Sequence, residues 1–342
     1  MQQRFIPRRA FFEPAALEFP LGRQIRDHLE SMQVDIRVTG SHNRVTGIPG
    51  NTAQEGYREA KRTLVVGVRK GLDFAACKPS AHYQLPLNTS CPGMCEYCYL
   101  ATTLGKKPYV RVYVNIEEIL RKAGDYIAQR APEITLFEGA ATSDPIPTEY
   151  LTGLLGSTIE FFGKQKYGRF RFVTKFCDVD SLLSLSHQGH TRFRFSLNAE
   201  AAANRYEHAT PPVTERIKAA AKVAAAGYPI GFIIAPIMMM DHWQEEYTAL
   251  MQLLADALPA DAARDITFEF ITHRFTKRAK NQILDLFPQT SLPLQEEERA
   301  YKFGQFGYGK YVYQKEAMDS VKEFMNRLTQ QYFPQAHVEY LV

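Results

Sequence analysis

From about residue 81 onward, short runs rich in β-branched and aromatic residues alternate with longer stretches whose apolar positions recur every three or four residues. The short runs predict strands at 83–87, 134–137, 169–174, 192–197, 230–235 and 266–271. The longer stretches predict helices at 116–129, 148–162, 214–226 and 244–258. Strands separated by helices argue for βαβ units and a parallel sheet, and six such units suggest an α/β barrel, complete or partial. Ahead of this region, proline, glycine and polar residues interrupt the chain often. A helix is expected within 21–32, a strand at 34–38, and a helix at 54–62 leading into a strand at 63–68.

Three strands carry an unusual face pattern. Phe170 and Phe172 share one face while Arg169, Arg171 and Lys175 share the other. Phe193, Phe195 and Leu197 oppose Arg194, Ser196 and Asn198, and Ile266, Phe268 and Phe270 oppose Thr267, Glu269 and His273. A parallel strand covered on both sides is apolar throughout, so these polar faces line either a ligand chamber or a solvated surface. Helices between the strands favour the chamber.

After about residue 275 the alternation stops. Lys277, Arg278 and Lys280 precede a proline-rich connector at 287–293. The aromatic, glycine-bearing segment 301–313 reads as a β-hairpin, and a closing helix is expected at Lys315–Tyr332. The boundaries divide the chain into an extension at 1–80, a barrel at 81–275 and a terminal segment at 276–342.

Composition changes this picture little. Of 342 residues, 45% are hydrophobic and 23% charged, which excludes a disordered chain. A net charge of +4 is too small to signal nucleic acid unless the charge is local. The low-charge stretch 223–240 contains Gly227, Pro229, Gly231 and Pro236, and reads as a helix end, a turn and a buried strand rather than a membrane span. The amino terminus has charge without an apolar core, so a cytoplasmic protein is expected.

Cysteine placement is more telling. Three of the five cysteines, Cys91, Cys95 and Cys98, are spaced Cys-x3-Cys-x2-Cys in a loop after the first barrel strand, where Pro92-Gly93 forces a turn. Cys77 and Cys177 stand apart, and this pattern does not suit a disulfide framework. A structural zinc would need a fourth, distant ligand, and a four-iron, four-sulfur cluster on three thiolates leaves one iron open. Three unrelated buried cysteines are the remaining alternative.

The Cys-x3-Cys-x2-Cys spacing with Tyr97 before its last member resembles the radical S-adenosylmethionine (SAM) superfamily. That resemblance implies a partial (β/α)6 barrel of the radical SAM type with an N-terminal α/β extension and a C-terminal β-hairpin plus helix. It also implies a 4Fe-4S cluster whose open iron is chelated by S-adenosyl-L-methionine, and a 5′-deoxyadenosyl radical. Lys78-Pro79-Ser80-Ala81, residues 91–100, Thr142-Ser143-Asp144 and Gly307-Tyr308-Gly309-Lys310-Tyr311-Val312-Tyr313 together resemble the spore photoproduct lyase family, in matching order. Members of that family use SAM catalytically. They revert a UV lesion of spore DNA, two thymines joined by a methylene bridge (5-thyminyl-5,6-dihydrothymine), to two thymines.

Carried onto this chain, the resemblance makes Cys91, Cys95 and Cys98 the cluster ligands. Tyr97 and Tyr99 would contact SAM and help return a hydrogen atom; packing around the loop is the alternative. Lys175 would pair with the SAM carboxylate, and Ser143, Ser196 and Asn198 would bond its polar groups. A Gly-Gly-Glu run common in the superfamily is matched only in part by Glu138-Gly139-Ala140. Where the family carries a hydrogen-donating cysteine before Thr-Ser-Asp, this chain has Ala141. Either quenching of the product radical is impaired or another donor serves, with Cys77 and Cys177 as spare candidates.

The hairpin would wedge into damaged double-stranded DNA, since a lesion inside the stack is out of reach. Tyr308, Lys310 and Tyr311, with Arg274, Lys277, Arg278 and Lys302, are the candidate contacts. The resemblance further implies an electron donor such as flavodoxin or ferredoxin, a monomer, no membrane, and a place in the spore core during germination. A radical SAM enzyme for another substrate, or a DNA-binding protein with a structural metal, are the other readings.

Overall fold

The computed structural model describes residues 4–259, 265–303, 307 and 309–342. The chain divides into two compact units, one formed by Met1–Gly93 with Leu104–Arg192 and the other by Met94–Thr103 with Phe193–Val342.

The first unit contains a five-stranded sheet. Arg9–Phe12 lies between Asp35–Val38 and Thr63–Gly67, parallel to both. Val110–Tyr113 adds in parallel to Thr63–Gly67, and Asn88–Thr89 pairs antiparallel at the edge. The inner strands read RAFF, TLVVG and VRVY and are buried along almost their whole length, as parallel strands covered on both faces are. Ile25 and Leu29 of the helix Pro20–Ser31 pack with Ala10, Phe12, Leu64 and Val66, while Phe11 and Val65 meet Ile48 and Ala60 in a separate cluster. Sequence periodicity did not reveal Arg9–Phe12 or Val110–Tyr113, because four residues buried on both faces show no alternation.

The same unit holds a second set of strands. Ala76–Cys77 pairs antiparallel with Ala81–Gln84, which runs parallel to Thr135–Glu138, itself parallel to Gly168–Thr174. The helix Ile116–Arg130 buries Ile119, Leu120, Ala123 and Ile127, one face of its 3.6-residue period. The single helix expected at 148–162 is two, Ile146–Thr152 and Leu154–Gly163. Gly153 takes φ 61° and stops the first. The Glu149 carboxylate then accepts the Leu155 and Gly156 N–H groups at 2.7 and 2.9 Å, capping the second helix.

The second unit's parallel strands follow the order Thr191–Leu197 (from Phe193 on), Ile230–Ile237, Ile266–Thr272 and His337–Leu341. Val213–Ala225 and Trp243–Ala257 are the crossover helices, and Lys315–Tyr332 has the ends expected from sequence. The 223–240 stretch is the helix end, the turn at Gly227 and the strand Ile230–Ile237, and no described helix is long and apolar enough to cross a membrane. Two elements here escaped the sequence reading. Lys277–Leu286 is a helix, capped by the Thr276 hydroxyl accepting the Ala279 N–H at 3.0 Å, where the basic run was assigned no element. The closing strand His337–Leu341 is too polar to stand out. The hairpin pairs Arg299–Phe303 with Gly309–Tyr313, in the register Tyr301 to Tyr311 and Lys302 to Lys310. Tyr308, a candidate DNA contact, lies outside the described residues.

Candidate active site

The cysteine loop is held by polar anchors on both sides of its turn. In the first unit, Ser90 has φ 63°, bridges to Ser143, and donates its hydroxyl to the Pro108 carbonyl at 2.7 Å. Lys61 is only 1% exposed, and its ammonium donates to the Cys91 carbonyl at 3.0 Å while lying 5.4 Å from the Tyr57 ring centroid. Sequence reading missed Lys61, because a lysine ending a helix looks like a solvated charge.

In the second unit, Met94–Cys95 pairs antiparallel with Glu207–His208. The Cys98 N–H donates to the Cys95 carbonyl at 3.2 Å, turning the chain into the short helix Leu100–Thr103. Between them, the buried Glu96 carboxylate pairs with His208 Nε2 at 2.7 Å and accepts the Thr290 hydroxyl. The Tyr97 hydroxyl donates to Glu207, whose other oxygen meets Arg216 Nη1 at 2.6 Å. Burial first, and then the Glu207 charge, push the Tyr97 phenol well above its ordinary pKa, so it keeps its proton. Tyr99 differs sharply: it is 57% exposed.

Among the described residues, no three His, Cys, Asp or Glu side chains are gathered in a metal-holding group. The donor chemistry nevertheless suits an iron–sulfur cube with one open iron. Cys95 is buried, Cys91 and Cys98 are half-buried, and no cysteine is in a disulfide. The adjacent Glu96 and His208 are bound to each other, so neither stands as a fourth ligand.

Of the proposed SAM contacts, Ser143 and Lys175 are brought together through Asp144. Asp144 accepts the Lys175 N–H and the Thr174 hydroxyl, each at 2.8 Å, and burial raises its pKa to about 6 against the donors that lower it. The Ser143 hydroxyl donates to Asn88 Oδ1 at 2.6 Å. Ser196 and Asn198 share the end of one strand in the second unit. Asn198 is fully buried; its amide donates to the Pro236 carbonyl at 3.0 Å and accepts the Tyr247 hydroxyl at 2.8 Å. The organising roles of Asp144, Glu207 and Tyr247 had no local signal in the sequence.

The polar strand faces are mostly buried, with Arg169 and Lys175 half-buried, which argues against a solvated surface. Their charges are matched within the protein: Arg194 meets Glu269 at 2.7 Å, with the Tyr340 hydroxyl on the same carboxylate, and Arg171 meets Glu138 at 3.6 Å. These two arginines therefore balance carboxylates and are not open ligand donors.

On the hairpin, Lys302 and Lys310 stand directly opposite. Burial, then the neighbouring Arg274 and Lys302 charges, depress the Lys310 pKa. Tyr301 and Phe303, not singled out from the sequence, are exposed beside them. A Cβ at Gly309 would lie 2.0 Å from the Tyr301 hydroxyl, so a larger residue there would make the exposed Tyr301 side chain swing aside. Tyr311 is an anchor: its ring stacks on Phe275 at 5.2 Å and its backbone bridges to that residue. Arg278 donates to the Thr102 carbonyl at 3.2 Å, facing the end of the cysteine loop.

The model of the spore photoproduct lyase family matches residues 5–342. The chain belongs to that family. The spore photoproduct lyase of Bacillus subtilis (strain 168) is 51% identical over 340 residues, covering 99% of each chain. One solved spore photoproduct lyase superposes with a TM-score of 0.97 at 50% identity, over 99% of this chain and 100% of that one. It is a double mutant, one cysteine to alanine and one serine to cysteine, with bound AdoMet and dinucleoside spore photoproduct. A tyrosine-to-phenylalanine mutant superposes with a TM-score of 0.96 at 49% identity and the same coverage. The chain is thus a radical SAM lyase, and its fold is the expected α/β partial barrel.

Proposed function

We propose that this spore photoproduct lyase family member reverts 5-thyminyl-5,6-dihydrothymine in double-stranded DNA to two thymines, with a 4Fe-4S cluster and SAM. The reading is carried by full-length likeness, at 50% identity, to a solved lyase holding both AdoMet and the dinucleoside lesion. Cys91, Cys95 and Cys98 hold the cluster. When bound, the cluster and SAM supply a 5′-deoxyadenosyl radical that takes the lesion's C6 hydrogen. Lys61 and the Glu96–His208 pair keep the cysteine loop in place. Asp144 fixes the Lys175 backbone; the Lys175 ammonium would pair with the SAM carboxylate and Ser143 would bond its polar groups. Tyr97, kept protonated, orders the loop through Glu207, while the exposed Tyr99 is the tyrosine able to face SAM and help return hydrogen to it. Arg274, Lys302 and Lys310 neutralise phosphates, with Tyr301 and Phe303 against bases left unstacked. A flavodoxin- or ferredoxin-type donor supplies the electron.

Numbering supports a correspondence with the solved mutants. The offset that puts the mutated tyrosine on Tyr99 puts the cysteine-to-alanine position on Ala141 and the serine-to-cysteine position on Cys77. This correspondence supports the reading that Ala141 stands where the family carries its hydrogen-donating cysteine.

The test is anaerobic incubation of the reconstituted protein with reductant, SAM and the lesion dinucleoside. Conversion to unlinked thymine nucleosides is expected. SAM cleavage with the lesion left intact assigns the enzyme to another substrate.

A further inference from the structure

We propose that Lys61 is a positioning residue for the cluster, whose buried charge, fixed on the Cys91 peptide, favours the reduced state and eases the electron transfer that opens each turnover. The inference rests on the proposed function, which places the cluster on Cys91, Cys95 and Cys98, and adds an electrostatic role to the holding of the loop.

The first observation is where the charge sits. Lys61 closes the helix Ala53–Lys61, a position from which a lysine usually reaches water, yet it is only 1% exposed. Its ammonium donates to the Cys91 carbonyl at 3.0 Å and to the Ser90 hydroxyl oxygen at 3.4 Å. One turn earlier on the same helix, the Tyr57 ring lies under it, with the centroid at 5.4 Å. Ser90 is fully buried and directs its own O–H to the Pro108 carbonyl, so towards Lys61 it acts as the acceptor. Helix, ring and serine, all within the first unit, thus aim the cation at the first cluster ligand.

The second observation is how little answers that charge. A buried cation is costly unless it is paired. Arg9, Arg171, Arg194 and Arg216 are also buried, and each meets a glutamate. Arg299 has three acceptors on His273 and Pro293, and the Tyr313 ring centroid lies 4.0 Å away. Lys61 has one carbonyl, one hydroxyl and a more distant ring, and among the described residues no carboxylate pairs with it.

A buried, unanswered cation beside a thiolate ligand fits a negative group that binds there. Three thiolates outweigh the positive charge of an iron–sulfur cube, and reduction adds one more negative charge. A cation fixed next to Cys91 therefore attracts the reduced form more strongly than the oxidised one, with little screening by solvent. Net charge and hydrogen bonding around the ligands are among the levers that set such potentials. One electron passes from the flavodoxin- or ferredoxin-type donor to the cluster, and no bond to Lys61 forms or breaks.

The test is a reductive titration of the reconstituted full chain without SAM or lesion, read by the electron paramagnetic resonance signal of the reduced cluster. Lys61→Met removes the charge at similar length. Lys61→Gln removes the charge but keeps an N–H for the Cys91 carbonyl, and Lys61→Arg keeps the charge. The neutral variants should hold as much iron as the unaltered protein. At a fixed poise their reduced-to-oxidised ratio should fall about tenfold, a shift of about 59 mV to lower potential for one electron. Lys61→Arg should recover most of it, and the difference should persist in salt of about 1 M, because the charge is buried. Full iron with an unmoved potential in the neutral variants overturns the assignment and leaves Lys61 as an anchor of the loop. Loss of iron from both neutral variants, or a shift erased by salt, overturns it as well. An unaltered protein that takes up no such cluster overturns the proposed function itself, and this inference with it.

Discussion

The molecule builds parallel sheet in two chemically different ways. Around Arg9–Phe12, Thr63–Gly67 and Val110–Tyr113, the strands are mostly apolar on both faces, and the buried charge of Arg9 lies at a strand end, paired with Glu59. Along Gly168–Thr174 and Thr191–Leu197, one face bears the buried Arg171 and Arg194, each answered by a glutamate from another strand. Buried area alone would favour the first design. The second keeps polar chemistry inside the fold, at the cost of desolvating paired ions. One sheet is therefore sensitive to lost volume and the other to an unbalanced charge.

The largest expected effect tests that distinction. Arg194→Met leaves Glu269 ionised and without its guanidinium, and should lower the unfolding free energy by about 3–5 kcal/mol in urea titration. Adding Glu269→Leu should recover most of the loss, because an apolar pair of similar volume needs no compensation. A single mutant that unfolds like the natural chain would show that water reaches this pair. Next in size, Leu64→Ala in the apolar sheet should cost about 2–4 kcal/mol, and no partner substitution should recover it, since the loss is volume.

A smaller effect comes from Glu149, whose pKa burial raises from 4.5 to about 7 despite the two N–H groups that lower it. The folded state binds this proton more tightly than the unfolded one. Its stabilising contribution is full below about 4.5 and is lost as pH climbs through about 7. Between pH 5 and 8 the natural chain should lose roughly 2–4 °C more in Tm than Glu149→Gln, the size of a change of about 2–3 kcal/mol in a chain of this length. Parallel Tm profiles would remove Glu149 from the balance. Smallest for the fold is Lys302→Gln on the hairpin: stability should stay within about 0.5 kcal/mol, while the salt dependence of duplex binding loses a log–log slope of about 1. An unchanged slope would take Lys302 off the DNA.

What the sequence disclosed follows the range over which each signal acts. Lys315–Tyr332 declared itself through many turns of regular apolar spacing, and the cysteines through eight adjacent residues. Gly153 was one residue whose backbone ended a helix that periodicity alone carried onward. Arg194 and Glu269, or Glu96 and His208, are far apart in the chain and each reads locally as a surface charge. Their burial is a property of the finished fold. The polar strand faces were correctly suspected of pointing inward, but their self-neutralisation needed partners from other strands.

The bridge between Met94–Cys95 and Glu207–His208 bears on what gives the cysteine segment its shape. Many small metal sites are disordered until the ion arrives. Here backbone hydrogen bonds, a carboxylate–imidazole pair and a phenol tie down the ligand-bearing segment. Its order rests on protein contacts as well as on metal–sulfur bonds, so loss of the cluster should remove activity before structure.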